Sequence, residues 1–275
     1  MADEAVTEAT LPASERLDQL DVADVLATIH AEDRQAFAAV EAALPQVGRA
    51  VEVLVAALAG GGRWFYVGAG TSGRMGALDA AEIPPTFGLE PHCVQAVIAG
   101  GPEALAGSVE GAEDDADAAR AELRARGLRQ KDAVVAISAS GRTPFALAAL
   151  EAARLCGARR IAITCDPVSP LAAAAEVAVA AEVGPEVIAG STRMKGGLAQ
   201  KMILSLLSTT TMVQLGRVEG NRMTHLRPVS EKLRRRARRI VAELGGVDEP
   251  RAERLLERCE GRVAEAVALA RREAS

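Results

Sequence analysis

The sequence predicts an α/β fold: a doubly wound, mostly parallel five-stranded sheet flanked by helices, with N-terminal helices and a small C-terminal helical cap. Three observations predict it. Short apolar runs at residues 64–67, 92–99, 133–138, 160–165 and 177–180 read as buried strands. Segments of helical periodicity lie between them. Two of the strand-to-helix turns, GAGTSG at 68–73 and SASGRTP at 138–144, are built from glycine and hydroxyl residues.

Taken in order, residues 1–12 lack periodicity and read as a mobile arm. Ser14 offers a first helix start. Asp21 caps a helix over 22–31, a second helix over 32–44 should end near Pro45, and a third over 46–59 should close at Gly60-Gly61-Gly62. The first strand leads into a helix over about 74–82, which Pro84-Pro85 should stop. Residues 103–125 are helical around an acidic interruption, EGAEDD at 110–115. Helices are expected over 145–155, 169–174 and 192–215, the last apolar enough to be buried, with a loop at 184–191. Three further helices follow at 229–244, 249–258 and 262–272. The expected organisation is an arm with helices over 1–45, a sheet domain over 46–226 and a three-helix segment over 227–275.

Composition narrows the function classes. The chain has 275 residues, 49% of them hydrophobic but only 2% aromatic, so its core is built from Ala, Val, Leu and Ile. A net charge of −5 gives no general attraction to nucleic acid or anionic membrane. Met1-Ala2-Asp3-Glu4 is acidic, unlike the start of a secretory signal, and no uninterrupted apolar run reaches ~18 residues. The four cysteines (Cys93, Cys156, Cys165, Cys259) show no C-x-x-C spacing, which reads as reduced thiols in the cytoplasm. His30, His92 and His225 are far apart, so no zinc site is expected. The basic run at 232–239 reads as a solvated helix face in an acidic chain without aromatic residues nearby.

The two glycine-rich turns carry the chemistry. A turn opening a helix presents unpaired amide N–H groups and a positive dipole end, which suits an anion. At the first turn a phosphate or carboxylate should sit near Gly70, Thr71 and Ser72. Gly68, Gly70 and Gly73 fit G-x-G-x-x-G by count, but no acidic strand end follows where a dinucleotide site needs one. At the second turn Ser138, Ser140 and Thr143 set three hydroxyls around Gly141, enough to hold a phosphate monoester without a metal. Together the turns form a sugar-phosphate signal. Glu82 is expected at a helix C-terminus, where the dipole disfavours its ionised form and suits a proton donor. Glu113, in the acidic break, should stay ionised and act as a base. Glu186, in GPEVIAGSTRMK with Ser191 and Lys195, is a third candidate. Spacing alone does not single these out from 37 acidic residues.

GAGTSGRMGALDAAEIPPTFG, IAGG, VEGAED, SASGRTP and GPEVIAGSTRMKGGLAQKM jointly resemble the N-acetylmuramic acid 6-phosphate etherases, of the sugar-isomerase (SIS) superfamily. The resemblance covers nearly the whole chain. It implies a cytoplasmic, metal-free, homodimeric lyase of cell-wall sugar recycling. Such an enzyme cleaves the D-lactyl ether of N-acetylmuramate 6-phosphate to N-acetylglucosamine 6-phosphate and D-lactate, with its acid/base glutamates falling on Glu82 and Glu113. The chain departs from the family pattern at Ile83, where Cys is frequent, at Leu11, where Asn is usual, and at RMTHL, 222–226. Three alternatives share the fold: a non-catalytic sugar-phosphate regulator, a phosphosugar isomerase, and a transcription regulator, which would need a helix-turn-helix that the first 60 or so residues do not supply.

Overall fold

The computed structural model describes residues 6–274. Five parallel strands form one sheet: β1 (Trp64–Gly68), β2 (Val94–Ile98), β3 (Ala133–Ile137), β4 (Arg159–Thr164) and β5 (Val177–Ala180), in spatial order β2-β1-β3-β4-β5. The helices are α1 (Val22–Ala59), α2 (Gly70–Phe87), α3 (Ala116–Ala125), α4 (Pro144–Cys156), α5 (Pro170–Ala174), α6 (Lys195–Gln214), α7 (Glu231–Gly245), α8 (Glu249–Arg258) and α9 (Val263–Ala274). Two compact units result. One is Met1–Ala80 with Cys93–Ser208, and the other is Ala81–His92 with Thr209–Ser275.

In the first unit the order of strands reverses between β1 and β3, which pair in register from Trp64↔Ala133 to Gly68↔Ile137. Strand order 2-1-3-4-5 opens a crevice at that reversal, beyond the carboxyl ends of the strands. Alternating residues of the strands face opposite sides. Phe65, Val67, Val134, Ala136 and Ala162 share a core with Ala119 and Leu123 of α3 and with Phe145, Ala149 and Leu150 of α4. On the Tyr66 side α2 comes so close that a Cβ on Gly76 would stand 2.9 Å from the Tyr66 Cβ. Tyr66 Oη donates to Asp79 Oδ2 at 2.7 Å, and Ser208 Oγ of α6 donates to Asp79 Oδ1 at 3.1 Å. Burial, and then the neighbouring Asp79 charge, hold the Tyr66 phenol protonated well above its ordinary range. Asp132, fully buried at the entry to β3, accepts from the Arg63 amide at 2.8 Å and from the Arg63 guanidinium at 2.7 Å.

Three sequence expectations are corrected. The helix break at Pro45 does not occur: α1 runs unbroken for 38 residues, with Asp21 capping it through the Asp24 amide. Ala36, Ala39, Val40, Ala43, Val47, Ala50, Val51 and Leu54 are buried along it, and this burial on both sides of Pro45 offsets one lost backbone bond. α1 has the length and mean apolarity of a membrane span, but its contacts with β1, β3, β4 and β5 make it a core helix of the sheet. Pro84 and Pro85 also lie inside a helix, since α2 starts at Gly70 and continues to Phe87. The Pro84 carbonyl accepts from the Gly88 amide, the Pro85 carbonyl from the Arg227 amide, and Ile83 and Phe87 are buried. Finally, of the arm expected over 1–12, residues 1–5 lie outside the described residues, while Thr7 is buried and its carbonyl takes the Gly190 amide at 3.1 Å. A backbone bond and a buried side chain fasten that part of the arm.

In the second unit α7, α8 and α9 close around Ala237, Ile240, Val241, Leu255, Val263 and Val267. The divergent segment 222–226 belongs here. Leu226 enters this core, Thr224 Oγ1 donates to the Arg217 carbonyl at 3.3 Å, and Arg222 pairs with Glu243 at 2.8 Å.

Replacing Tyr66 by Phe removes a buried donor to Asp79 at almost constant volume. Urea denaturation should show a loss of about 1–3 kcal/mol with unchanged far-UV dichroism.

Candidate functional site

Both glycine-rich turns lie at the reversal point, one after β1 and one after β3. The first is tightly seated. A Cβ on Gly73 would lie 2.6 Å from the Gly68 carbonyl oxygen, so only glycine lets α2 start this close to β1. The first α2 bond runs from the Gly73 amide to the Ala69 carbonyl at 3.1 Å. The amides of residues 70–72 therefore precede the intrahelical ladder and present donors at the positive end of the helix. Ser72 Oγ donates to Gln200 Oε1 of α6 at 3.0 Å, and Thr71 packs beside Gly197.

The second turn is a hydroxyl cluster. Ser138 Oγ lies 2.8 Å from Thr143 Oγ1 and 3.4 Å from Ser140 Oγ. The Gly141 amide donates to Ser138 Oγ at 3.1 Å and the Arg142 amide to Ser140 Oγ at 3.2 Å. Gly141 sits at φ +65°, and a Cβ there would lie 2.2 Å from Ser169 Oγ, so no other residue fits. Thr143 occupies the N-cap of α4 without capping it, because its hydroxyl faces Ser138 instead. Ser138 is buried, while Ser140 and Thr143 are half-exposed. Arg142 extends to Asp166 at 3.3 Å. The cluster can receive a tetrahedral oxyanion through hydroxyls and helix-start amides, with Arg142 as a nearby cation.

Glu186, Ser191 and Lys195, expected as ligand contacts, lie at and just before the start of α6. Glu186 is buried and accepts from the Lys195 amide at 3.1 Å and the Gly196 amide at 2.8 Å, so its own carboxylate fills the anion-binding end of α6. Burial pushes its carboxyl above the usual range, against those two amide bonds and the Lys195 charge. Lys195 is buried too, its Nζ 2.5 Å from Glu32 Oε2 of α1. Both groups are thus buried and paired within the chain. Ser191 is half-exposed in the loop that the Thr7 carbonyl holds at Gly190. Cys165 lies against this cluster, and burial, then the Glu186 charge, pushes its thiol up to about 12.

Glu113 lies in a 3-10 turn, Ala112–Asp114, of the first unit, and is exposed. Glu82 lies in the second unit and is exposed. It is five residues short of the end of α2, so the helix-terminal dipole expected from a stop at Pro84 does not act on it. Among the described residues neither carboxylate has a hydrogen-bond or ion-pair partner. Asp132, Asp166 and Glu186 of the first unit, by contrast, are each bonded within the chain. Gln200, Glu32 and Asp79 are partners of site elements that sequence reading missed. Asp79 had a visible signal, a carboxylate three residues before Glu82 on one helix face, and Glu32 and Gln200 had none. No three His, Cys, Asp or Glu side chains converge as a metal-ligand group among the described residues.

Comparison with known proteins places this geometry. Residues 46–154 match the glucokinase regulatory protein N-terminal SIS domain and residues 116–210 the SIS domain. An N-acetylmuramic acid 6-phosphate etherase of Symbiobacterium thermophilum is 52% identical over 95% of this chain and 87% of its own length. The chain belongs to the N-acetylmuramic acid 6-phosphate etherase family. A second etherase, from Geobacillus thermodenitrificans, is 45% identical over 98% of this chain and 91% of its own. The fold recurs in phosphoheptose isomerase GmhA from Neisseria gonorrhoeae, at TM-score 0.54 and 20% identity over 70% of this chain and 98% of that one. The α/β, SIS-type architecture expected from the sequence is therefore borne out.

Alkylation of the native etherase homologue with N-ethylmaleimide at pH 7 should modify the half-exposed Cys156 and spare Cys165, whose thiol is buried and protonated. Peptide mapping should find Cys165 labelled only after unfolding. Labelling of Cys165 at the rate of Cys156 would contradict that environment.

Proposed function

We propose that this chain is the carbon–oxygen lyase its family name describes, cleaving the D-lactyl ether of N-acetylmuramate 6-phosphate. The observation that carries the reading is 52% identity to an etherase over nearly the whole chain, with Glu82 and Glu113 both present and both uncommitted. Neither carboxylate is spent on the fold, which a catalytic acid and base require.

In the open-chain sugar the C2 proton lies next to the aldehyde and is acidic enough for a carboxylate. Glu113 takes that proton. The C3–O bond breaks, its electron pair leaves on the lactyl oxygen, and Glu82 protonates that oxygen. The product is D-lactate and an unsaturated aldehyde. Water then adds its hydroxyl at C3 and a proton returns to C2, giving N-acetylglucosamine 6-phosphate. Each positioned acid or base contributes about 10²–10⁴-fold in rate. Ser138, Ser140, Gly141 and Thr143 hold the 6-phosphate, and Gly70, Thr71 and Ser72 present amides and hydroxyls to the sugar at the neighbouring turn. Glu186, Ser191 and Lys195 support the site by fixing the loop at 184–191 to α1 and α6.

The homodimer belongs to the same reading. Val22, Leu26, Phe37 and Leu44 of α1 are exposed and recur on one side of the helix at 100° per residue, an apolar stripe that a second copy would cover. Four free cysteines support a reducing cytoplasm. The match to a regulatory protein's SIS domain favours a second reading, a sugar-phosphate sensor without turnover.

Incubation with N-acetylmuramate 6-phosphate and an enzymatic assay for D-lactate separates the two. Release of D-lactate is expected, and binding without release would leave the sensor. Glu82→Gln should lower kcat by about 10²-fold or more while substrate still binds, and near-normal turnover would refute the assignment. Thr143→Ala should mainly raise KM, and an unchanged KM would place the phosphate elsewhere.

A further inference from the structure

The basic run of the second unit has no part in this reaction. Lys232, Arg235, Arg236, Arg238 and Arg239 of α7, with Glu249 at the start of α8, line a cavity of about 370 Å³. Lys232, Arg235, Arg236 and Arg239 follow the spacing i, i+3, i+4, i+7 and so stand in one row on the helix. The other basic residues of α7 are neutralised within the unit: Arg234 by Glu231 at 3.2 Å and Arg238 by Glu253 at 2.8 Å. Arg239 reaches Glu243 at 3.6 Å. Lys232, Arg235 and Arg236 have no carboxylate partner among the described residues.

This arrangement opposes itself in two ways. Like charges three and four residues apart repel on a helix surface. The three unpaired cations also crowd the first two turns of α7, whose positive dipole end disfavours them. An acidic chain has left them without an ion pair among the described residues, with Glu249 the one carboxylate that lines the cavity. A bound anion relieves both conflicts at once. The three unpaired cations span about 6 Å of helix axis, a distance that two adjacent phosphate groups can bridge. That span is too short for a nucleic-acid strand, and the cavity has no aromatic side chain on which a base would stack.

We infer that the cavity on α7 is a binding site for a small phosphate polyanion, of the diphosphate or bisphosphate class, held by Lys232, Arg235 and Arg236. Arginine forks suit such bidentate phosphate contacts.

Titration calorimetry of the full chain with inorganic pyrophosphate at low salt tests it. A saturable event is expected that persists in Thr143→Ala, a variant in the hydroxyl cluster after β3, and the arginine variants below are made in that background. The double variant Arg235→Gln/Arg236→Gln should weaken that event at least about tenfold with unchanged circular dichroism, and added salt should weaken it in the wild type. Should the double variant lose its fold, Lys232→Gln on an exposed side chain carries the same test with about a threefold weakening. Absence of a saturable event, equal binding by the variant, or tighter binding of a single-stranded oligonucleotide through the same arginines would overturn the proposal.

Discussion

Strands β1 and β3 are neighbours in space but not in sequence, and they end at the same level, Gly68 opposite Ile137. Everything the first unit offers to a ligand depends on that pairing. It brings the turn at 70–73 and the turn at 138–143 to one edge of the sheet, and it aims two helix starts, α2 and α4, at the crevice between them. A one-residue slip would reverse every side chain of β1 between the two faces and break both cores. The register is held by full burial of Trp64, Phe65, Tyr66 and Val67, and by Asp132, which ties Arg63 to the entry of β3.

The polar groups inside this unit sort into two kinds. Asp79, Asp132, Glu186 and Lys195 are buried and answered by protein partners, as buried polar groups must be. Their contribution is to orientation: Asp79 sets α2 against β1 and α6, and Glu186 sets the 184–191 loop on α6. The second kind is reachable from outside. Ser140 and Thr143 are half-exposed within their hydroxyl cluster, and Glu113, like Glu82 of the second unit, is exposed and has no partner among the described residues. The division separates groups that hold the fold from groups left at the surface.

Much of this was legible in the sequence. The five strands were found because parallel strands buried on both faces read as continuous apolar runs. Gly73 and Gly141 were found because turns that leave no room for a Cβ allow no other residue. The errors have a common cause. Pro45, Pro84 and Pro85 read locally as stops, since each removes a backbone donor. They lie inside helices because burial of Val40, Val47, Ile83 and Phe87 around them, together with the partners that Pro84 and Pro85 find for their carbonyls, outweighs that loss. The placement of Glu82 at a helix end fell with the same misreading. The bonds of Glu186 and Lys195 inside the fold were not legible, because a charged, glycine-rich loop before a helix looks the same whether or not its carboxylate meets that helix.

By itself, then, the chain's order of residues determined the α/β class, the two hydroxyl-rich turns and the membership of the etherase family, because periodicity, turn chemistry and joint motifs are local properties written in neighbouring residues. Which carboxylates are spent inside and which remain free, that Arg234 and Arg238 are neutralised while Arg235 and Arg236 are not, and that the arm at Thr7 is fastened to Gly190, were decided only by tertiary structure. Those outcomes depend on partners such as Glu32, Gln200 and Glu253. Partners far away in sequence leave no local pattern, and only the folded chain brings their atoms within bonding distance.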